Sequence, residues 1–128
     1  QAGIDACPTG GTVTVADGVY TGISNKNLSW SEKHITVRSV NGAVNCIIDC
    51  QNSGRGFNFD NTNQNQSDLI SGFTIKNGYA VNSGGGICCD HYSSPTITNC
   101  IISDNSATWG GGGISCQNFY SPLIINCI

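Results

Sequence analysis

Short apolar segments alternate with polar turns along the whole of this 128-residue chain. Val13 and Val15 alternate with threonine in Thr12–Ala16, and Phe57 and Phe59 fall on one face of a later segment. An apolar–polar alternation of period two predicts a strand with one buried face. The same pattern predicts further short strands at Val19–Tyr20, Ile35–Val37 and Cys46–Cys50. The intervening Gly, Asn, Asp and Ser residues indicate turns, and no segment carries the pattern of a long helix.

One segment of the chain occurs twice. Gly84–Ile101 recurs as Gly111–Ile128 at a constant offset, and we call this the 27-residue repeat. The two copies share a Gly-Gly-Gly-Ile run, a following Cys, a Ser-Pro pair and a final Asn-Cys-Ile. The same offset reaches one copy further back, where four apolar residues lie under Ile97, Cys100, Ile102 and Ala107: Ile70, Phe73, Ile75 and Ala80. Self-similarity at this period indicates stacked repeats.

Short strands, tight turns and a repeat together predict an all-β fold. We expect a right-handed parallel β-helix, which is a solenoid, of about five coils with about 22–27 residues per coil. One domain covers residues 1–128. Within it, residues 1–7 form an N-terminal cap with a short helix around Ile4, residues 12–68 form irregular coils, and residues 69–128 form the coils with the 27-residue repeat.

Equivalent residues of successive coils should form ladders, because the coils of a solenoid stack about 4.8 Å apart. Asn99 and Asn126 recur at a corner, where we expect their amides to hydrogen-bond to each other along the solenoid axis. The repeat also predicts two ladders of core cysteines, Cys89 with Cys116 and Cys100 with Cys127.

The composition and charge of the chain exclude some classes of function. Charged residues make up 10% of the chain, the net charge is −3, and the five Lys and Arg residues are scattered, which argues against a nucleic-acid surface. No apolar run is long enough for a membrane-spanning helix. The eight cysteines favour an oxidising compartment. A chain that begins at Gln1 and has no Met is expected to have lost a signal peptide or to be part of a longer protein. We therefore expect a secreted protein, extracellular or on the cell surface.

The chain resembles the right-handed parallel β-helix repeat proteins in Thr12–Tyr20, Ile35–Ser39, Asn45–Gln51, Leu69–Tyr79 and the two Gly-Gly-Gly-Ile coils. These are secreted bacterial and archaeal proteins of the pectate-lyase-like superfamily. The resemblance covers nearly the whole chain, and it implies the fold and an extracellular location. It implies no single activity, because that superfamily contains lyases, hydrolases, adhesins and purely structural coils.

An enzyme of this fold would need acidic residues that lie close together. A lyase would need a cluster of carboxylates around Ca²⁺, and a hydrolase would need two carboxylates paired across a cleft. No two of the eight acidic residues are adjacent or two apart in sequence. Under the repeat, Asp90 faces Gln117 and Asp104 lies over Asn77, so no Asp is expected to stack on another Asp. We therefore predict no catalytic, cofactor-binding or metal-binding residue, and a protein that is not an enzyme.

Two weaker interpretations concern cations. The Asp90-His91 pair is typical of a metal or acid–base site, but we interpret it as a solvated turn because Asn118 replaces His91 one coil later. Asp and Asn oxygens at the corners of the coils could hold a structural Ca²⁺. No other cofactor is expected.

The cysteines leave alternatives open. Stacked pairs lie within the range of Cα distances for a disulfide, but parallel side chains place the Cβ atoms too far apart for an unstrained bond. This favours buried thiols in the two ladders. Cys88 points away from Cys89 and is predicted to be the outward thiol. Pairing cannot be read from sequence, and the candidates for a disulfide are Cys7, Cys46, Cys50 and Cys88.

Aromatic residues in loops could form a contact surface. These are Tyr92 and its repeat equivalent Phe119, the adjoining Tyr120, Trp30 and Trp109. Rings on one flank could bind the faces of sugars or a neighbouring subunit, and packing within the loops is the third alternative. Two loop sequences match the glycosylation pattern, at Asn27 and Asn65.

The leading hypothesis for function is structural. We expect an extracellular β-helix protein whose copies assemble into a filament or surface layer, because the last coil ends without a polar cap at Ile128. The alternatives are a polysaccharide-binding or adhesin module, and a fragment of a carbohydrate-active lyase. The partners expected are therefore copies of the same chain and polysaccharide, with no nucleic acid and no membrane span.

Overall fold

The computed structural model describes residues 1–60, 62–118 and 121–128. These residues form one α-helix, α1 at Ala2–Ala6, a single 3₁₀ turn at Ile23–Asn25, and short strands. The strands are β1 Thr12–Val15, β2 Gly18–Tyr20, β3 Thr36–Ser39, β4 Cys46–Asp49, β5 Phe57–Asp60, β6 Leu69–Ser71, β7 Thr74–Lys76, β8 Tyr79–Ala80, β9 Ile87–Asp90, β10 Thr96–Thr98, β11 Ile101–Ser103, β12 Ser106–Ala107, β13 Ile114–Cys116 and β14 Leu123–Ile125.

The strands form four parallel sheets that run along the molecule. Their orders are β1-β3-β6-β10-β14, β2-β4-β7-β11, β5-β9-β13 and β8-β12. Neighbours in every sheet come from successive passes of the chain and pair in parallel, which is the topology of a β-solenoid. The first sheet has five rungs and therefore encloses about four turns. The predicted all-β solenoid with a short N-terminal helix is confirmed.

The spacing between rungs differs along the chain. From β6 onward it follows the predicted repeat, because Ile70 pairs with Ile97, and Ile97 pairs with Ile124. Earlier rungs are irregular, since Thr12 pairs with Thr36 after a shorter turn of the chain, and Thr36 pairs with Leu69 after a longer one.

The core is a column of apolar side chains enclosed by the sheets. Ile70, Ile75, Ile87 and Ile97 have no exposed surface, because coils lie both above and below them. Trp30, predicted to be an exposed loop aromatic, is instead 4% exposed. Its ring packs edge-on against Phe59, with centroids 4.8 Å apart, and this contact draws the surrounding loop against the solenoid.

Helix α1 covers the N-terminal end of the column. Ile4 inserts into the core and is 4% exposed. Lys33 donates from Nζ to the carbonyl oxygens of Asp5 at 3.1 Å and Cys7 at 2.9 Å, at the C-terminal end of the helix where a cation is favoured. The predicted role of Ile4 as the apolar contact of this helix is confirmed.

The corner containing Asn99 and Asn126 differs from the prediction. Gly72, Asn99 and Asn126 occupy equivalent positions with φ of 77°, 53° and 50°, in the left-handed region that Gly and Asn tolerate best. Both asparagines are exposed, and the Asn99 amide donates to Oγ1 of its neighbour Thr98 at 3.1 Å. The residues recur because of the backbone conformation, so the predicted ladder of stacked amides is wrong.

Candidate functional site

An acidic corner lies at the end of the sheet β5-β9-β13. Asp60 ends β5 and Asp90 ends β9, and the two residues pair directly in the register of these strands. His91 follows with φ of 36°, which turns its ring back over the two carboxylates. Its Nδ1 lies 2.9 Å from Oδ1 of Asp60 and 3.4 Å from Oδ2 of Asp90. Two carboxylates and an imidazole thus converge on one point.

The carboxylate of Asp90 is held in place by the next coil and by its own turn. Asn118, the repeat equivalent of His91, donates from Nδ2 to Oδ1 of Asp90 at 2.5 Å. The backbone N–H of His91 donates to the same oxygen at 2.9 Å. The side chain of Asp90 is 14% exposed, whereas those of Asp60 and His91 are about half exposed. One oxygen of Asp90 is therefore fixed, and the other faces the His91 ring.

The sequence-based prediction missed this corner. It held that no Asp stacks on another Asp, and the pairing of Asp60 with Asp90 shows that this is wrong. The turn of the chain between these two residues is longer than the repeat, so the 27-residue offset did not align them. The alternation of apolar residues in these two strands could have revealed the pairing. Phe57 and Phe59 pair with Ile87 and Cys89, and the same strand register places Asp60 opposite Asp90.

A second polar cluster is buried beneath the loops. Asp68 has no exposed surface, yet its carboxylate accepts from four donors. Oδ1 accepts from Nε1 of Trp30 at 2.8 Å and from the backbone N of Ile35 at 3.0 Å. Oδ2 accepts from the backbone N of Asn65 at 3.0 Å and lies 2.8 Å from Nδ1 of His34. The carboxylate therefore joins two loops of the chain, and it was not singled out from the sequence.

The polar loop that precedes Asp68 is also partly buried. Gln64 is 2% exposed, and its Nε2 donates to the carbonyl of Trp30 at 2.6 Å. Its Oε1 accepts from the hydroxyl of Thr62, which lies 3.2 Å from the buried hydroxyl of Ser93. The loop is partly buried although its sequence is polar, because its polar groups find partners within the protein.

An open groove lies beside this cluster. Its lining is polar apart from one aromatic ring and consists of His34, Asn63, Gln64, Asn65, Gln66, Ser67, Tyr92 and Ser94. Tyr92 is 60% exposed and has φ of 68°, a left-handed conformation that is costly for a bulky residue. The ring is thus presented at the edge of the groove by a strained corner.

Of the other predicted aromatic contacts, Trp109 lies away from this groove. Trp109 follows β12 and is 81% exposed, and its backbone N donates to the carbonyl of Asn82 at 3.0 Å. Phe119 and Tyr120 lie outside the described residues. The predicted flank of several rings is therefore represented in the described chain by Tyr92 at the groove and Trp109 at a different corner.

All eight cysteines are free thiols in the structure, which therefore contains no disulfide among the candidates Cys7, Cys46, Cys50 and Cys88. Burial raises the pKa of Cys46, Cys50 and Cys100 to about 11, because a thiolate is poorly solvated in the core. These thiols pack as small apolar groups.

The remaining cysteines correct two predictions. Cys88, predicted to be the outward thiol, is 7% exposed, and burial raises its pKa. Cys89 and Cys116 pair in register as predicted, but Cys116 is exposed, and no described strand pairs with the other edge of β13. The hydrogen bond that the Cys89 thiol donates lowers the pKa of Cys116 and raises that of Cys89. Cys127, in the other ladder, is half-buried.

The two predicted glycosylation sites are exposed, but their amides form hydrogen bonds within the protein. Asn27 accepts at Oδ1 from the backbone N of Arg55 at 2.8 Å. Asn65 accepts at Oδ1 from the backbone N of Ser67 at 2.8 Å, and its Nδ2 lies 3.3 Å from Nε2 of His34. A glycan at either site would have to replace these contacts.

Comparison with known protein families gives a match to part of the chain. Residues 99–117 match the model of the Chlamydia polymorphic membrane protein (Chlamydia_PMP) repeat. No curated protein matches the chain. No solved structure matches it. Among the described residues, no helix is long and apolar enough to cross a membrane. The matched stretch contains β11, β12 and β13, so the similarity falls on the part of the solenoid where the 27-residue repeat is regular.

Proposed function

We propose that this chain is a structural β-solenoid exposed on a bacterial cell surface. The observation that carries the proposal is the match of residues 99–117 to a repeat of polymorphic membrane proteins, located within regularly stacked coils. A low content of charged residues suits a wall of stacked polar turns. We include in this proposal the extracellular location and the relationship to the pectate-lyase-like superfamily.

The last coil supports a proposal for assembly. Ile97 is fully buried, whereas its equivalent Ile124 one coil later is 44% exposed. Strand β14 pairs with β10 along one edge, and no described strand pairs with its other edge. Another coil placed on this face would bury Ile124 and Cys127 as Ile97 and Cys100 are buried. We propose that contact with a second copy of the chain buries these side chains.

The opposite end constrains the geometry of such an assembly. Helix α1 covers the N-terminal end of the core through Ile4. Two copies that meet through the exposed side chains of β14 would form a closed, self-complementary pair. A filament or surface layer then requires lateral contacts between pairs, for which the exposed Val19 and Val44 of the solenoid wall are available.

Sedimentation and electron microscopy of the native chain test the assembly. We expect pairs of wild-type chains, and we expect Ile124→Lys to give monomers because it places a charge on the pairing face. Val19→Lys changes a wall residue that is 61% exposed and should leave the pairs intact. Monodisperse wild-type monomers at high concentration would refute self-assembly. Protease accessibility of the chain on intact producing cells tests the surface location separately.

The structural role is proposed as non-enzymatic. The assay that challenges it is the absorbance of unsaturated uronates after incubation with acidic glycans and Ca²⁺. A flat signal is expected, and a rise that follows protein concentration would replace the structural role with that of a lyase.

A polysaccharide-binding role is the second candidate, and the groove beside Tyr92 favours it. Amide and hydroxyl groups around one exposed ring are the groups that recognise sugars. Retention on immobilised glycans should fall with Tyr92→Asn, since Asn tolerates the left-handed backbone at this position. Trp109→Ala is the matched control, because that ring lies at another corner. Retention that is unchanged by Tyr92→Asn would exclude the groove as the binding site.

A further inference from the structure

The acidic corner has the dimensions of a metal-binding site. Two ligand atoms bound to one ion at about 2.1 Å lie about 3.0 Å apart at a right angle and about 3.4 Å apart at the tetrahedral angle. The Nδ1 atom of His91 lies 2.9 Å from Oδ1 of Asp60 and 3.4 Å from Oδ2 of Asp90. One ligand atom of each residue lies within 4.8 Å of the others. An ion can therefore take the place of the proton shared by these groups with little rearrangement.

We propose that Asp60, Asp90 and His91 bind a divalent transition-metal ion such as Zn²⁺. One imidazole nitrogen and two carboxylate oxygens suit such an ion, which accepts mixed nitrogen and oxygen ligands, whereas Ca²⁺ prefers a shell made of oxygen alone. Since Asp60 and His91 are about half exposed, water can complete the coordination.

The charges at this corner favour a bound cation. Asp60 and Asp90 lie directly opposite each other on neighbouring strands, where like charges destabilise the pairing. In the described residues the only group placed against both carboxylates is His91. A divalent ion would cancel the repulsion between the carboxylates, and it would do so more fully than one imidazole.

The surroundings orient the ligands, as the surroundings of metal sites do. Asn118 and the backbone N–H of His91 both donate to Oδ1 of Asp90, which leaves Oδ2 directed towards the ring. The three ligands come from two successive coils, so the ion would join β5 to β9. It would also fix the turn that carries Tyr92 at the edge of the groove.

Calorimetric titration of the reduced protein with Zn²⁺, and thermal unfolding with and without Zn²⁺, test the proposal. We expect one ion per chain and a rise in the unfolding temperature, because an ion that binds only the folded state stabilises it. His91→Asn and Asp60→Asn should each weaken binding by at least about tenfold. The repeat itself indicates that His91→Asn folds, since Asn118 occupies the equivalent position with φ of 56°.

Two control variants separate this site from other ligands. Asp104→Asn changes an exposed acidic residue at another corner, and Cys116→Ser removes the exposed thiol, so both should bind Zn²⁺ as the wild type does. Co²⁺ bound at the corner should give a weak visible band without the strong near-ultraviolet band of thiolate ligation.

Binding that survives unchanged in His91→Asn and Asp60→Asn would overturn the proposal, as would thiolate ligation of Co²⁺. The absence of binding at millimolar Zn²⁺ would overturn it as well. Stronger stabilisation by Ca²⁺ than by Zn²⁺ would overturn the choice of a transition metal.

Discussion

The buried carboxylate of Asp68 allows a quantitative test of how the loops are held on the solenoid. The perturbation is Asp68→Asn, which keeps the shape of the side chain but replaces one acceptor oxygen with a donor. In the better orientation the new amide nitrogen takes the place of Oδ2, where it meets the backbone N–H of Asn65, a donor, at 3.0 Å. The opposite orientation is worse, because the nitrogen would meet the N–H groups of both Trp30 and Ile35.

The expected loss of unfolding free energy follows from these contacts. Leaving the buried N–H of Asn65 without an acceptor costs about 1–3 kcal/mol. The bonds from Trp30 and Ile35 change from charge-assisted to neutral, which removes about 1 kcal/mol each. Since Asp68 has no exposed surface, water cannot compensate, and the expected loss is about 3–5 kcal/mol of unfolding free energy.

Urea unfolding followed by tryptophan fluorescence measures this loss. The chain has two tryptophans, and Trp109 is 81% exposed, so a Trp109→Phe background leaves Trp30 as the reporter beside Asp68. Asp104→Asn is the matched control, because Asp104 is exposed, and it should change stability by less than about 0.5 kcal/mol. A loss below about 1 kcal/mol for Asp68→Asn would contradict this account, since it would mean that the hydrogen bonds to this carboxylate contribute little to stability.

Three further predictions concern the corners and the thiols. Asn126→Leu should cost about 1–2 kcal/mol more than Asn126→Gly in urea unfolding, because φ is 50° there, and equal effects would contradict the backbone explanation. The hydrogen bond from Asn77 lowers the pKa of Asp49, so this stabilisation is fully present above the ordinary value of 3.8 and is lost as the pH falls through the lowered value. Carboxyl NMR titration should therefore show the Asp49 pKa rising in Asn77→Gly, and an unchanged pKa would exclude this bond as the cause. Alkylation at pH 8 followed by mass spectrometry should label Cys116 before Cys46, Cys50 and Cys100, and Cys89→Ala should slow the labelling of Cys116 because it removes the hydrogen bond that lowers its pKa. Faster labelling of a buried thiol would show that the coils open.

The regular coils were predictable because aligning the two copies of the 27-residue repeat also gives the register of strand pairing. Once Gly84–Ile101 was aligned with Gly111–Ile128, the pairings of Ile97 with Ile124 and of Cys89 with Cys116 followed without further information. Alternation of apolar residues located the earlier strands near their observed bounds. The period and the alternation both express the local requirement that one face of each strand be buried, and this requirement is written in the sequence.

The acidic corner and the buried Asp68 cluster depend on contacts that the 27-residue repeat does not predict. Asp60 meets Asp90 because the loop before β6 makes that turn of the solenoid longer than the repeat, and His91 joins them through a left-handed corner. Asp68 looked like any loop acid, yet packing of Trp30 against Phe59 closes a loop over it.

The solenoid, the 27-residue register from β6 onward and the helix at the N-terminus were all predictable from the amino-acid sequence. The tertiary structure alone decided which acids meet, which polar loop is buried and which thiols are reactive. The physical reason is that strand register follows from burial along one coil, whereas the environment of a polar side chain depends on neighbours from other coils and loops of irregular length.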